Sequence, residues 1–213
     1  MQLTLYHYWR SSCSWRVRWA LALKQIKYTP VAVNILNSEH QQAAYRAINP
    51  SGQLPTLVID GRSFSESLAI IDWLEETHPS PPLYPQDPLG KLFVKQLALK
   101  IAAGTQPLQN PSLLKYFVAN EGERRKHAQH FITQGLSVYE QLLAQGKPGL
   151  FSYGDSVTVA DLCLVPQVYN ALRFDVDLKN FPKISKIYEH CLKTEACDQA
   201  APHRFAPPDA PST

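Results

Sequence analysis

The chain has 213 residues, 45% of them apolar, which suits one large domain or two modest ones and buries enough surface to fold without disulfide staples. Its 21 Lys and Arg against 18 Asp and Glu leave a formal charge of +3, too small and too dispersed for a nucleic-acid footprint. Cys13, Cys163, Cys191 and Cys197 show neither C-x-x-C spacing nor a regular framework, so reduced thiols in the cytoplasm are expected and a metal site is not. The N-terminus lacks the pattern of a signal peptide, and no apolar stretch approaches the ~20 residues that span a bilayer.

In chain order, Leu3–Tyr8 reads as a strand running into the cluster Ser11-Ser12-Cys13-Ser14, which offers several helix N-caps. Trp15–Leu23 is apolar except for Arg16 and Arg18, so the first helix is expected to be buried on most sides and to end over Lys24–Lys27. Tyr28–Ile35 favours a strand, Gln41–Ile48 a short helix, and Asn49-Pro50-Ser51-Gly52 a turn. Leu57–Ile59 and Arg62–Phe64, joined by Asp60-Gly61, predict a hairpin, and Ser67–Glu76 has helical spacing. The order is β-α-β-α-β-β-α over residues 1–78.

The five prolines of His78–Pro88 exclude a helix or central strand, so residues 79–88 read as a linker. From 89 to 213 the apolar period is helical, and an all-α domain is expected. Within it Thr158 and Asp161 have capping-box spacing at the start of a buried helix, Val159–Leu172, with Pro166 inside it. The tail from Pro202 reads as irregular.

Chemistry concentrates at Arg10–Arg18. A strand that delivers hydroxyls and a thiol to a helix N-terminus places them where unpaired N–H groups favour an anion, such as a thiolate. Cys13 could itself be the nucleophile, although Arg16 three residues on excludes a dithiol cycle. Helix capping alone is the competing reading. Pro55 enters a strand; a cis Leu54–Pro55 bond would present the Leu54 backbone to an extended peptide ligand. Glu66-Ser67 opens the next helix, where N–H groups and the Ser67 hydroxyl suit a carboxylate and Glu66 an ammonium; simple capping is again the alternative.

Ser11-Ser12-Cys13-Ser14-Trp15-Arg16-Val17-Arg18 closely resembles the signature of zeta-class glutathione transferases. Asn49-Pro50, Leu54-Pro55-Thr56-Leu57, Glu66–Ile71, Gln106–Asn110 and Ala160–Gln167 look like further segments of that family in the right order. The resemblance implies a thioredoxin-like N-terminal domain followed by an all-helical domain, a homodimer, and glutathione as cofactor. It implies Ser11, Ser12 and Cys13 as catalytic residues beside the glutathione sulfur. Further glutathione contacts would come from Ser14, Trp15, Arg16, Gln42, Leu54, Glu66 and Ser67, and from Gln106, Asn110 and Ser112. Pro111 departs from the family pattern by removing a backbone donor after Asn110.

Arg10, Arg16 and Arg173 are candidates for the carboxylates of a small dicarboxylate substrate, with a surface ion pair as the alternative for the first two. The implied activity is cis-trans isomerisation of maleylacetoacetate to fumarylacetoacetate, in phenylalanine and tyrosine degradation, by addition and expulsion of the glutathione thiolate. Maleylpyruvate isomerisation and dehalogenation of α-halo acids are adjacent readings, because those substrates also carry carboxylates. A glutathione-binding module without turnover is a third, opposed by the intact serine cluster, Leu54-Pro55 and Glu66-Ser67.

Overall fold

The computed structural model describes residues 1–147 and 149–210. Its residues group into two compact units, Met1–Pro82 together with the described residues from Glu195 onward, and Leu83–Thr194. Among the described residues no helix is long and apolar enough to cross a membrane.

The first unit runs β1 (Leu3–His7), α1 (Ser12–Leu23), β2 (Thr29–Ala32), a 3-10 turn at Glu39–Gln41, α2 (Ala43–Arg46), β3 (Thr56–Ile59), β4 (Arg62–Ser65) and α3 (Ser67–Thr77). This is the β-α-β-α-β-β-α order read from the sequence. The strands lie in the order β2-β1-β3-β4, with β1 and β2 parallel and the other pairs antiparallel. Leu3, Leu5 and His7 alternate inward along β1, and Leu5 pairs with Leu57 at full burial. Pro30 is tolerated because β2 is an edge strand. Asp60 and Gly61 both hold positive φ, 47° and 84°, as a two-residue turn matched to the strand twist requires.

Helix α1 buries Ser14 through Leu21 without a break, both arginines included, and packs on α3 and on the short helix Glu195–Ala200. Burying Arg18 demands acceptors for its guanidinium. Its Nε donates to Ala200 O at 2.9 Å, Nη2 to Trp9 O at 3.0 Å and Nη1 to Tyr8 O at 3.4 Å, while the His7 Nδ1 lies 3.3 Å from Nη1. The Phe205 ring covers the guanidinium at 4.5 Å. Burial, and after it the Arg18 charge, lowers the His7 pKa to about 4, so at neutral pH the ring is uncharged beside the cation. This cluster explains why the last described residues belong to the sheet-bearing unit, although their helical pattern groups them with 89–213 in the sequence. A 3-10 turn, Pro202–Arg204, replaces the irregular start expected for the tail.

Lys24, at the C-cap of α1, holds the proline-rich segment. Its Nζ contacts Glu75 Oε2 at 2.8 Å, His78 O at 2.5 Å and Pro81 O at 3.0 Å.

The second unit contains α4 (Pro88–Ala102), α5 (Pro111–Phe117), α6 (Glu121–Leu143), α7 (Val159–Arg173) and α8 (Pro182–Cys191). Helix α7 is its centre, with 11 of 15 residues buried. The buried Asp161 carboxylate accepts from the Thr158 N–H at 2.8 Å, the Thr158 hydroxyl at 3.0 Å and the Ser152 N–H at 2.7 Å. Burial raises its pKa, and those hydrogen bonds oppose the rise. The Thr158–Asp161 spacing therefore does what it implied: it opens a buried helix.

Candidate active site

The start of α1 carries the serine cluster. Ser11 is the N-cap, with extended backbone, and its Oγ accepts from the Ser14 N–H at 3.2 Å. A hydroxyl that accepts this bond keeps its own proton to donate elsewhere. Ser12 and Cys13 form the first turn and are half-buried, and that turn contains no acidic residue. The partial positive charge of the helix end is therefore uncompensated where a thiolate would sit. Ser14 and Trp15 are buried, and the Ser14 hydroxyl accepts from Tyr8 N–H at 3.4 Å, so their side chains serve the packing of the helix start.

Arg16 joins two segments that lie 51 residues apart. Its Nη1 is 3.6 Å from Cys13 Sγ and 3.3 Å from Ser67 Oγ, and the residue is 1% exposed. The thiol-side and helix-start candidates of the first unit are thus held on one guanidinium. Arg10 lies over the Trp9 ring at 4.7 Å and reaches Tyr8 Oη at 3.5 Å; among the described residues it forms no ion pair.

The Leu54–Pro55 segment rests on a buried polar scaffold. Tyr45 Oη donates to Gln53 O at 2.6 Å and lies 2.8 Å from Thr56 Oγ1. Asn49 Nδ2 donates to Gln53 O at 2.9 Å and to Thr56 Oγ1 at 3.0 Å. Burial pushes the Tyr45 phenol up, which keeps it protonated and donating. The Leu54–Pro55 bond is cis. Leu54 is half-buried, and among the described residues its backbone groups have no hydrogen-bond partner, which leaves them for an extended ligand. Gln42, the N-cap of α2, is exposed and makes no capping bond. Sequence reading missed Tyr45 and Thr56 as supports; the signal was a Tyr and a Thr flanking a turn that must bury backbone polar groups.

Glu66 precedes α3 with φ +69°, a region that costs a non-glycine residue about 1–3 kcal/mol. The side chain is exposed and makes no cap. Strain of this kind fits a residue kept for contact with a ligand. Glu66→Gly is therefore expected to leave the melting temperature equal or higher while raising the KM for glutathione several-fold; a loss of stability with unchanged KM would remove Glu66 from the site.

In the second unit Gln106 is half-buried in a 3-10 turn, Gln106–Gln109, and Asn110 is the exposed N-cap of α5. Pro111 occupies the first helical position, where an N–H has no intrahelical partner, so the missing donor costs the helix nothing. Ser112 follows, exposed. Gln109 and Gln167 form a buried reciprocal amide pair at 2.8 and 3.1 Å that fixes this turn on α7, a pairing invisible from their spacing. Arg173 ends α7, exposed, with Nη1 on Asn170 Oδ1 at 3.1 Å.

Family models for the glutathione S-transferase N-terminal domain and C-terminal domain match residues 5–82 and 111–196. The maleylacetoacetate isomerase of Mus musculus is 46% identical over 210 residues, 98% of this chain and 95% of the mouse protein. A zeta-class bacterial maleylpyruvate isomerase structure superposes with a TM-score of 0.93 at 38% identity, covering 98% of this chain and 100% of that one. A maleylacetoacetate isomerase from Anaeromyxobacter dehalogenans, solved with dicarboxyethyl glutathione and citrate in its active site, gives a TM-score of 0.87 at 44% identity, covering 99% of this chain and 98% of that one.

Proposed function

The chain belongs to the glutathione S-transferase family, and on that footing we propose that it is a glutathione-dependent cis-trans isomerase that converts maleylacetoacetate to fumarylacetoacetate. The observation that carries this reading is the acid-free N-terminus of α1, which brings together Ser11, Ser12 and Cys13, with Cys13 on an arginine that also holds Ser67. The relative that holds dicarboxyethyl glutathione adds chemical support, because that compound carries a dicarboxylate on the glutathione sulfur.

When bound, glutathione would supply a thiolate for reversible addition to the conjugated cis double bond, the chemistry by which cis becomes trans without net consumption of the thiol. The protein's part is to bind, orient and polarise. The Ser11 hydroxyl proton and the α1 N–H groups favour the ionised thiol. Leu54 offers its backbone to the peptide, Ser67 and the start of α3 take the γ-glutamyl carboxylate, and Glu66 takes the ammonium. Arg16, Gln42, Gln106, Asn110 and Ser112 complete the proposed glutathione contacts, whereas Ser14 and Trp15 are buried with their N–H groups bonded to Ser11 and are left out of that set. Arg10, Arg16 and Arg173 are assigned to the substrate carboxylates and to the enolate oxygen as charge develops.

The maleylpyruvate isomerase likeness favours one second reading, the same chemistry on maleylpyruvate. Turnover of the two substrates at equal concentration, with and without glutathione, decides between them. Preference for maleylacetoacetate supports the first reading, and turnover that ignores glutathione overturns both.

The proposal includes a cytoplasmic homodimer. Leu89, Leu92 and Leu99 leave a stripe on α4 at 78%, 64% and 51% exposure, apolar surface that a second copy would cover. Light scattering is expected to give twice the chain mass for the native protein and the single mass for Leu92→Glu; a native monomer removes the dimer from the reading.

A further inference from the structure

The helical unit carries a cleft of about 690 Å³ between the end of α6, the loop that follows it and α8, lined by none of the residues named for glutathione or substrate. Its apolar surface comes from Leu143, Phe151 and Ile187, all buried, and from Leu150, which is 53% exposed. Four lysines, Lys147, Lys183, Lys186 and Lys193, share the lining with a single carboxylate, Glu189. Lys183 is committed to Glu140 at 3.6 Å. Among the described residues the other three ammonium groups have no carboxylate within 4.0 Å. Lys147, Lys186 and Lys193 are exposed, and against the one carboxylate of Glu189 they leave the rim of this apolar floor net positive.

The wall of the cleft is built rather than loose. Phe151 N–H donates to Gly154 O at 3.0 Å, Leu150 N–H to Asp155 Oδ1 at 3.0 Å, and Ser152 N–H to the buried Asp161 carboxylate at 2.7 Å. Ser152 Oγ also accepts from Tyr139 Oη at 2.9 Å. A Cβ at Gly149 would come within 2.1 Å of Gly154 O, so only glycine allows the backbone at 149 and 154 to approach this closely. On the opposite side the His190 ring packs edge-on to Phe151 at 4.9 Å. Asp161, which starts α7, thus also fixes the Phe151 side of the cleft.

A preformed apolar cavity of this size with a few cationic groups at its rim takes a small amphipathic anion. We propose that the cleft is a binding site for a medium-chain fatty carboxylate, its alkyl chain against Leu143, Leu150, Phe151 and Ile187 and its carboxylate among Lys147, Lys186 and Lys193. Nothing in this assignment depends on the isomerase reading, because every residue it uses lies outside the glutathione and substrate contacts.

Titration calorimetry of the intact protein saturated with glutathione tests it, with octanoate, decanoate and dodecanoate below their micelle concentrations. Each added methylene that enters the cleft is expected to tighten binding about fourfold. The double variant Lys186→Glu, Lys193→Glu is expected to weaken dodecanoate at least about tenfold, since an attractive rim becomes repulsive. Leu150→Asp, at an exposed position that does not risk the fold, is expected to weaken it as well. Isomerase turnover and melting temperature are expected to stay unchanged in these variants. Absence of binding, affinity independent of chain length, or full affinity in both variants overturns the assignment. So does binding to anionic phospholipid vesicles without binding to free dodecanoate, which would make the lysines a membrane-facing surface.

Discussion

Replacing Ser11 with alanine is expected to lower turnover on the order of 100-fold, the scale seen when one well-placed donor to a reacting anion is removed. Two effects combine in this substitution because the hydroxyl has two jobs. As an acceptor it caps α1 through the Ser14 N–H at 3.2 Å, and loss of a cap costs about 1 kcal/mol of stability. As a donor it has a proton to offer the sulfur. Ser11→Asp separates the jobs: it restores the cap, but its negative charge opposes a thiolate. The aspartate variant is therefore expected to melt like the native protein and to turn over as poorly as the alanine variant or worse. Both are expected to raise the pH at which enzyme-bound glutathione ionises, followed by thiolate absorbance. Native turnover and an unchanged ionisation curve in Ser11→Ala would take Ser11 out of the mechanism. Cys13→Ala, by contrast, is expected to weaken glutathione binding but retain isomerisation, since Arg16 keeps its contact with Ser67.

The parts of this molecule that were legible in the sequence are those whose physics is local. Asp60-Gly61 needs two positive φ values and announces a hairpin; Thr158 and Asp161 are three residues apart and announce a helix start. The serine cluster is local too, which is why the thiol-side candidates and their helix could be placed together. The first turns of α6, Glu121 to His130, are polar and carry little apolar period, so the helical period of 89–213 does not mark where that helix begins. Gln41–Ile48 was read as one helix and is a 3-10 turn followed by the four residues Ala43–Arg46, since Gln42 adopts an extended conformation between them. What stayed hidden depends on partners far along the chain or on main-chain atoms. Arg16 reaches Ser67 across 51 positions, the Tyr45–Thr56–Asn49 scaffold serves a backbone carbonyl, and the Gln109–Gln167 pair spans 58. A side chain that bonds to a carbonyl has no partner residue type for sequence reading to find.

Arg18 is the extreme case, and its replacement is expected to have the largest effect on stability. Arg18→Leu retains apolar bulk and removes the buried charge, yet it strands Ala200 O and Trp9 O, each of which receives a guanidinium N–H at 2.9–3.0 Å. Tyr8 O suffers less, because it also accepts from the Ser11 N–H at 3.0 Å. Two buried acceptors without donors, plus the lost packing on Phe205, are worth about 3–5 kcal/mol. In a chain of this length that lowers the melting temperature by about 10 °C. The damage has a direction. Ala200 and Phe205 belong to the C-terminal segment, and Trp9 belongs to the loop that carries Arg10 to the Ser11 cap. The variant is expected to become sensitive to limited proteolysis near Glu195 and to show a raised KM for glutathione with a smaller change in kcat. Arg18→Lys keeps the charge but not the planar fork that addresses Ala200 O and Trp9 O at once, so it is expected to recover only part of the loss. If Arg18→Leu melts within a degree or two of the native protein and its C-terminal segment resists protease, the guanidinium does not fasten that segment. The buried hydrogen bonds at Ala200 and Trp9 would then be replaceable by water.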